Sequence, residues 1–194
     1  MHYDRERVVQ RMRKWESYLN EHALPKWEEL PALDLYMDQV VALINGYLGF
    51  LPKEVGMDAV VTAAAINNYV RKKIVPPPVK KRYSRIHLAY LLMICSLKQS
   101  VSISYVQQMI PVTLSEETVR TVYDQFVEQH RRTTLYFVEQ VNRITPAILA
   151  EDKTDDQRLS NVVTAFAVVA GLSRISTEKL LLMQEPESDN ASAE

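Results

Sequence analysis

The stretch from Glu116 to Arg143, which contains neither glycine nor proline, most constrains how this chain can fold. Apolar side chains recur along it at helical spacing, among them Val119, Val122 and Phe126. As a single helix it would be ~42 Å long at about 1.5 Å per residue, which exceeds the diameter of a small domain. The sequence therefore predicts one long amphipathic helix over these residues.

The other segments also predict helices, so the expected fold class is all-α. Apolar residues recur at helical spacing, and Ser, Thr or Asp residues precede several segments as N-caps. No segment indicates a confident strand. The predicted helices cover residues 4–20, 35–47, 62–72, 84–97, 102–110, 116–143 and 159–172.

The helix predicted over Leu159–Leu172 is apolar almost all round, which predicts burial on several sides. A cap at Ser176 would begin one or two further turns. A long amphipathic helix and a helix buried all round need more partner surface than one chain offers. We therefore expect these two helices to form a helical hairpin that makes a homodimer.

This pattern divides the chain into four segments. Residues 1–34 are an N-terminal helix and linker, and residues 35–111 form a compact helical module. Residues 112–183 form the helical dimerisation region. The tail, residues 184–194, is acidic and rich in small residues, so we expect it to be disordered.

Charge is distributed very unevenly along the chain. The net charge is −1, yet no Asp or Glu occurs between Ala59 and Ser115. We call this segment the basic window. A basic region between acidic flanks is typical of an anion-binding module, with nucleic acid as the leading candidate. The cations of the basic window are Arg71, Lys72, Lys73, Lys80, Lys81, Arg82, Arg85 and Lys98.

The helix predicted over 62–72 has a plausible buried stripe that includes Ile66, while Asn67, Asn68 and Arg71 fall mainly on the other side. Asn can pair with adenine through two hydrogen bonds, and Arg can reach guanine or phosphate. We expect these three residues to contact bases or the groove edge. The residues expected to anchor phosphates are Lys72, Lys73, Lys80, Lys81, Arg82, Tyr83 and Arg85.

The segments TAAAINNYVRKKIVPP and RYSRIHLAYL resemble the DNA-binding domain of MerR-type transcription regulators. That family has a helix followed by basic residues, a glycine-containing turn, a wing with Arg and Tyr, and a Ser- or Thr-capped helix. The resemblance implies a winged helix-turn-helix whose helix and wing bind DNA, followed by a long dimerisation helix. The matching positions are Ile66, Tyr69, Arg71, Ile74, Val75, Pro76, Arg82, Tyr83 and Ser84.

The chain departs from the MerR pattern at several positions. Asn67 and Asn68 stand where that pattern has Arg-Tyr, Lys73 replaces its turn glycine, and the wing is short and proline-rich. Over about two-thirds of its length, including LPKWEELP and LDLYMDQVV, the chain more closely resembles an uncharacterised bacterial domain-of-unknown-function family that shares this helix-turn-helix.

These features predict a cytoplasmic transcription regulator that binds pseudo-palindromic duplex DNA as a homodimer. The alternative is a non-enzymatic adaptor that keeps the helix-turn-helix fold and binds an unknown protein partner. We expect no enzyme, because Gly-rich phosphate loops and assignable catalytic groups are absent. We also expect no cofactor, no metal site and no membrane span, since the apolar runs break before 18 residues.

Two further features leave alternatives open. Pro76–Pro78 forms either a rigid wing or a polyproline ligand for a partner. Several aromatic residues in the C-terminal half either line a pocket for an unknown effector or pack in the core or dimer interface. These residues are Tyr123, Phe126, Tyr136, Phe137 and Phe166.

Overall fold

The computed structural model describes residues 23–51, 58–110, 112, 115–149 and 155–183, together with several positions between 7 and 17. The described positions between 7 and 17 are helical. Most of the helix predicted over 4–20 and the whole tail predicted as disordered lie outside the described residues.

Besides the helical positions between 7 and 17, the described structure consists of six helices and one short 3-10 turn and contains no strand, so the all-α prediction is confirmed. The only pairing of extended backbone among the described residues is two isolated bridges, Leu35–Tyr83 and Val79–Arg82. The 3-10 turn is Trp27–Glu29. The helices are α1 (Met37–Tyr47), α2 (Ala63–Arg71), α3 (Arg85–Leu97), α4 (Ile103–Met109), α5 (Glu116–Leu149) and α6 (Asp155–Leu182).

Helix α3 occupies the centre of the core. Nine consecutive residues, His87–Cys95, are buried, which requires packing partners on every side of the helix. Helices α1, α4 and α5 supply these partners. Ser84 is the N-cap of α3, as its sequence position predicts.

Helix α5 is longer than predicted and holds the linker before α1. It continues through Pro146 to Leu149. The buried hydroxyl of Tyr123 donates to the Pro25 carbonyl oxygen at 2.7 Å. The carboxylate of Asp124 accepts from the Trp27 backbone N–H at 3.0 Å. The linker is therefore part of the packed unit.

The chain itself does not supply the burial on several sides that is predicted for Leu159–Leu172. Helix α6 contacts α4 and α5, and Phe166 packs on Phe137 with ring centres 5.7 Å apart. Its other side has no cover in the described structure, and Val168 and Leu172 are 54% and 59% exposed. Ser176 caps nothing, because the helix continues through it to Leu182.

The segment Leu159–Leu182 is long and apolar enough, by length and composition, to be a candidate membrane span, with a mean hydropathy of 1.4. Charges interrupt the segment at Arg174, Glu178 and Lys179. The uncharged part between Arg158 and Arg174 is only ~22 Å long at about 1.5 Å per residue. A bilayer has a hydrocarbon core of about 30 Å, which is longer than this uncharged part.

A helix-turn-helix made of α1 and α2 would join them by a tight connection, but residues 48–62 separate the two helices. Asn45 on α1 joins them instead. Its carboxamide oxygen accepts from the backbone N–H groups of Val60 and Val61 at 2.7 and 3.2 Å. Its nitrogen donates to the Val61 carbonyl at 2.9 Å. One side chain thereby fixes the backbone immediately before α2.

Replacing Asn45 should destabilise the protein through this joint. In Asn45→Ala, the two N–H groups lose their acceptor, and a buried donor without a partner costs about 1–3 kcal/mol. We expect the free energy of unfolding in urea to fall by about 2 kcal/mol. Gln125→Ala is the control because Gln125 is exposed on α5. Equal unfolding midpoints for the two variants would show that Asn45 does not hold the joint.

Candidate nucleic-acid interface

Helix α2 has one buried and one exposed face, as its pattern predicts. Thr62 caps it through a hydrogen bond from the Ala65 N–H at 3.2 Å. Ile66 is buried, whereas Asn67 and Arg71 are exposed. The Arg71 guanidinium donates to the side-chain oxygen of the half-buried Asn68 at 2.8 Å. The structure thus places together the three residues predicted to contact bases.

A lysine closes the C-terminal end of α2 in a backbone conformation that favours glycine. Lys73 has φ 57°, in the left-handed region. Its N–H donates to the Val70 carbonyl at 3.0 Å, and the Ile74 N–H donates to the Tyr69 carbonyl at 2.9 Å. These two bonds form a Schellman motif, in which glycine is the usual residue at the left-handed position. The buried Ile74 side chain anchors the motif in the core.

Two more lysines form the tip of a short hairpin. Val79 and Arg82 exchange both backbone hydrogen bonds, at 3.1 and 2.9 Å. Between them, Lys80 and Lys81 have φ 50° and 62°. Two consecutive positive φ angles make a type I′ turn, for which Asn-Gly is the common sequence. Lys80, Lys81 and Lys73 are the only described non-glycine residues with positive φ, and all three are exposed.

Arg82 and Tyr83 attach this hairpin to the residues before α1. Leu35 and Tyr83 exchange two backbone hydrogen bonds of 2.9 Å. The Arg82 guanidinium lies 4.3 Å from the centre of the Tyr36 ring and donates to the Tyr36 hydroxyl at 2.7 Å. Arg82 remains exposed, so its charge faces solvent beside the hairpin tip.

His87 attaches the proline segment to the start of α3. The Ser84 backbone N–H donates to Nδ1 at 2.9 Å, so this nitrogen carries no proton. Nε2 therefore carries the proton and donates to the Pro77 carbonyl at 3.3 Å. The ring packs edge-on against Tyr83 with centres 5.4 Å apart. Burial lowers the pKa of His87, which keeps this bridging imidazole neutral.

Two of the predicted phosphate contacts are placed differently from the rest. Tyr83 is only 3% exposed, because its ring packs in the core, and burial raises the pKa of its hydroxyl. Arg85 is half-buried beside Trp27 and lies 3.5 Å from the Glu28 carboxylate. The structure does not bring these two side chains to the exposed hairpin tip.

The remaining predicted cations are exposed and carry no ion pair with a carboxylate in the described parts of the chain. Elsewhere the arginines are commonly paired: Arg120 with Glu28, Arg131 with Glu128 and Arg143 with Glu139. The unpaired set, which we call the cationic set, is Arg71, Lys72, Lys73, Lys80, Lys81 and Arg82. Within the described residues no group of His, Cys, Asp or Glu could hold a metal ion.

Sequence reasoning missed the residues that support this set. Tyr36 holds Arg82, Asn45 holds the backbone before α2, and His87 holds the proline segment. A Ser-x-x-His spacing at the start of α3 is the one signal that was available, because a residue three positions after the N-cap can accept from the N-cap N–H.

Glycine at position 73 should stabilise the protein. A non-glycine residue in the left-handed region costs about 1–2 kcal/mol, so Lys73→Gly should raise the free energy of unfolding by about 1 kcal/mol. Lys72→Gly is the matched control, since Lys72 has φ −80° and gains nothing from glycine. Urea unfolding of both variants measures the difference. Destabilisation of both to the same extent would contradict the strain at Lys73.

Acid should weaken the fold through His87. Its ordinary pKa of 6.5 is lowered in the folded protein, so the unfolded chain takes up the proton first as the pH falls. The contribution of neutral His87 to the free energy of unfolding is fully present above pH 6.5 and should decrease below it. Urea unfolding at about pH 7.5 and about pH 5.5 measures this loss. In His87→Gln, which keeps an acceptor for the Ser84 N–H, the loss should be smaller.

His130 supplies the competing explanation, because burial lowers its pKa as well. A pH dependence unchanged in His87→Gln and reduced in His130→Gln would assign the effect to His130 instead.

The sequence comparison covers the part of the chain that contains these contacts. Residues 25–126 match the family described as Domain of unknown function (DUF1836). This match spans more than half of the chain and confirms the resemblance to a domain-of-unknown-function family. No curated protein and no solved structure matches the chain. The residues from the linker before α1 to the first part of α5, with the cationic set between them, therefore place this chain in the DUF1836 family.

Proposed function

We propose that this protein is a transcription regulator that binds pseudo-palindromic duplex DNA as a homodimer. The observation that carries the proposal is the cationic set, six exposed cations without carboxylate partners in the described structure. Three of them, Lys73, Lys80 and Lys81, occupy backbone positions that favour glycine. Keeping a positive charge at such positions costs stability, which indicates selection for charge rather than for folding.

In this proposal α2 is the recognition helix and the hairpin is the wing of a MerR-like winged helix-turn-helix. The exposed Asn67 and the Asn68–Arg71 pair contact base edges or the groove edge. Lys72, Lys73 and the hairpin lysines contact phosphates, which set the register of the protein on the duplex. The buried Tyr83 contributes by supporting the wing, whereas the half-buried Arg85 pairs with Glu28 beside Trp27.

The exposed face of α6 supports the homodimer. Val168, Leu172 and Ile175 recur at helical spacing and are about half exposed. A contiguous apolar face of this kind on a soluble protein marks an interaction surface. A two-fold partner on this face would present two α2 helices, which suits a pseudo-palindromic site.

Salt dependence gives the sharpest test of phosphate contact. A dimer that contacts about eight phosphates should show a log–log slope of affinity against salt near −7 on a random-sequence duplex. Lys80→Gly with Lys81→Gly removes four of these charges per dimer while relieving backbone strain, so the slope should shrink to about −4 in a protein at least as stable. Fluorescence anisotropy measures both slopes.

The control removes equal charge from another surface. Arg131 and Arg143 are exposed on α5 and already paired with Glu128 and Glu139. Arg131→Ala with Arg143→Ala should therefore keep the wild-type slope. If the salt slope decreases equally in both double variants, binding depends only on net charge, and the proposed interface is wrong.

The exposed apolar face also favours one alternative, a protein-interaction adaptor that keeps this fold. The adaptor would show no duplex binding at low salt, and its partner binding would survive the hairpin variant. Its partner binding would instead be lost in Val168→Asp, which places a charge on α6.

A further inference from the structure

We propose that a pocket between the helical module and α5 binds a small, mainly apolar ligand that carries one uncharged hydrogen-bonding group. The pocket has a volume of about 720 Å³. This lies within the range of ~300–1,000 Å³ found for small-molecule sites. The site stands independently of DNA binding.

The walls of the pocket are apolar and come from several elements. Phe50 and Leu51 follow α1, Met93 and Leu97 lie on α3, and Phe126 lies on α5. Such walls favour an aromatic or aliphatic ligand, because burying its apolar surface supplies most of the binding energy. Of the aromatic residues considered from the sequence, Phe126 and Phe137 line this pocket, whereas Tyr123 is a core residue.

His130 supplies the specific polar contact on the α5 side. Its ring lies against Phe50 and Phe126, with ring centres 5.9 and 6.0 Å apart. Its two nitrogens have no hydrogen-bond partner in the described structure, whereas the neighbouring Gln129 amide donates to the Thr133 hydroxyl at 3.2 Å. The imidazole is therefore a free donor and acceptor in the pocket wall.

The neutral state of His130 selects the kind of ligand group. Burial among the phenyl rings lowers the pKa of His130, so the ring is uncharged near neutral pH. A neutral imidazole offers one N–H donor and one acceptor nitrogen. It suits a hydroxyl, an amine N–H or a carbonyl better than a carboxylate or phosphate.

The pocket lies between the helical module and α5, beside a second cavity that reaches α6. A second cavity of about 570 Å³ shares Leu97, Ser100 and Met109 with it and is lined by Gly171 of α6 on its far side. A ligand in the larger pocket would therefore contact the module and α5 at once, near the middle of α6. Binding would stabilise their packing against each other.

The probe for this site is N-phenyl-1-naphthylamine, a neutral aromatic molecule with one N–H group and environment-sensitive fluorescence. We expect saturable binding of one probe per chain. Thr134→Trp, which fills the pocket from α5, should weaken the affinity at least about tenfold, because the indole would occupy the apolar space that the probe needs. Thr121→Trp, on an exposed part of the same helix, should bind as the wild type does.

The hydrogen bond is tested with His130→Phe, which keeps an aromatic ring in place. Affinity for the probe should fall about two- to tenfold, the range for a neutral hydrogen bond. The isosteric 1-benzylnaphthalene has CH₂ in place of N–H, so its own dissociation constant, obtained by competition with the probe, should be the same for the variant and the wild type. Equal loss for both compounds would show that His130 is only a packing residue.

The exposed face of α6 is the competing binding surface for any apolar probe. Val168→Asp should leave the probe affinity unchanged if the pocket is the site. Binding lost in Val168→Asp but kept in Thr134→Trp would overturn the proposal, as would the absence of saturable binding. If Thr134→Trp does not fold, judged by its urea unfolding curve, Ser100→Trp on the opposite wall replaces it with the same expectation.

Discussion

The burial of α3 on every side is the constraint on which the rest of the structure depends. A helix whose residues His87–Cys95 are all buried must be covered by neighbours, and α1, α4 and α5 take these positions. Its N-terminal end holds the hairpin and the proline segment through Tyr83 and His87. Its C-terminal half supplies Met93 and Leu97 to the apolar pocket. One helix therefore connects the cationic set with the proposed ligand site.

Three lysines of the cationic set carry their charge at backbone positions where glycine would be more stable. Glycine is the residue of lowest energy at left-handed positions, yet lysine occupies all three such positions described outside glycine. The cost is borne by well-anchored surroundings: Ile74 is buried after Lys73, and Val79 and Arg82 close the turn around Lys80 and Lys81. Strain of this kind persists where neighbouring contacts over-determine the backbone, as they commonly do at functional sites.

Helix α6 differs from the helices of the core because its apolar surface is exposed. Helix α6 leaves an apolar surface exposed, although its sequence resembles that of a buried helix. Periodicity reports how apolar a helix is on each side, but it does not report whether its cover comes from the same chain or from another one. The homodimer proposal and the exposed α6 face are consistent, because the surface missing from one chain would be supplied by its copy.

The sequence by itself determined the helices, because helix formation depends mainly on interactions between neighbouring residues. The all-α class, the long helix from Glu116 and the N-caps Thr62 and Ser84 follow from periodicity and capping, which act over a few neighbouring residues. The division of α2 into an Ile66 face and an Arg71 face is equally local. Only the tertiary structure decided which predicted phosphate contacts are free, because Tyr83 and Arg85 lie within three residues of Arg82 in sequence but face different surroundings. It also decided that lysines adopt left-handed conformations, that Asn45 holds α2, and that α6 is uncovered, since these depend on contacts between residues far apart in the chain.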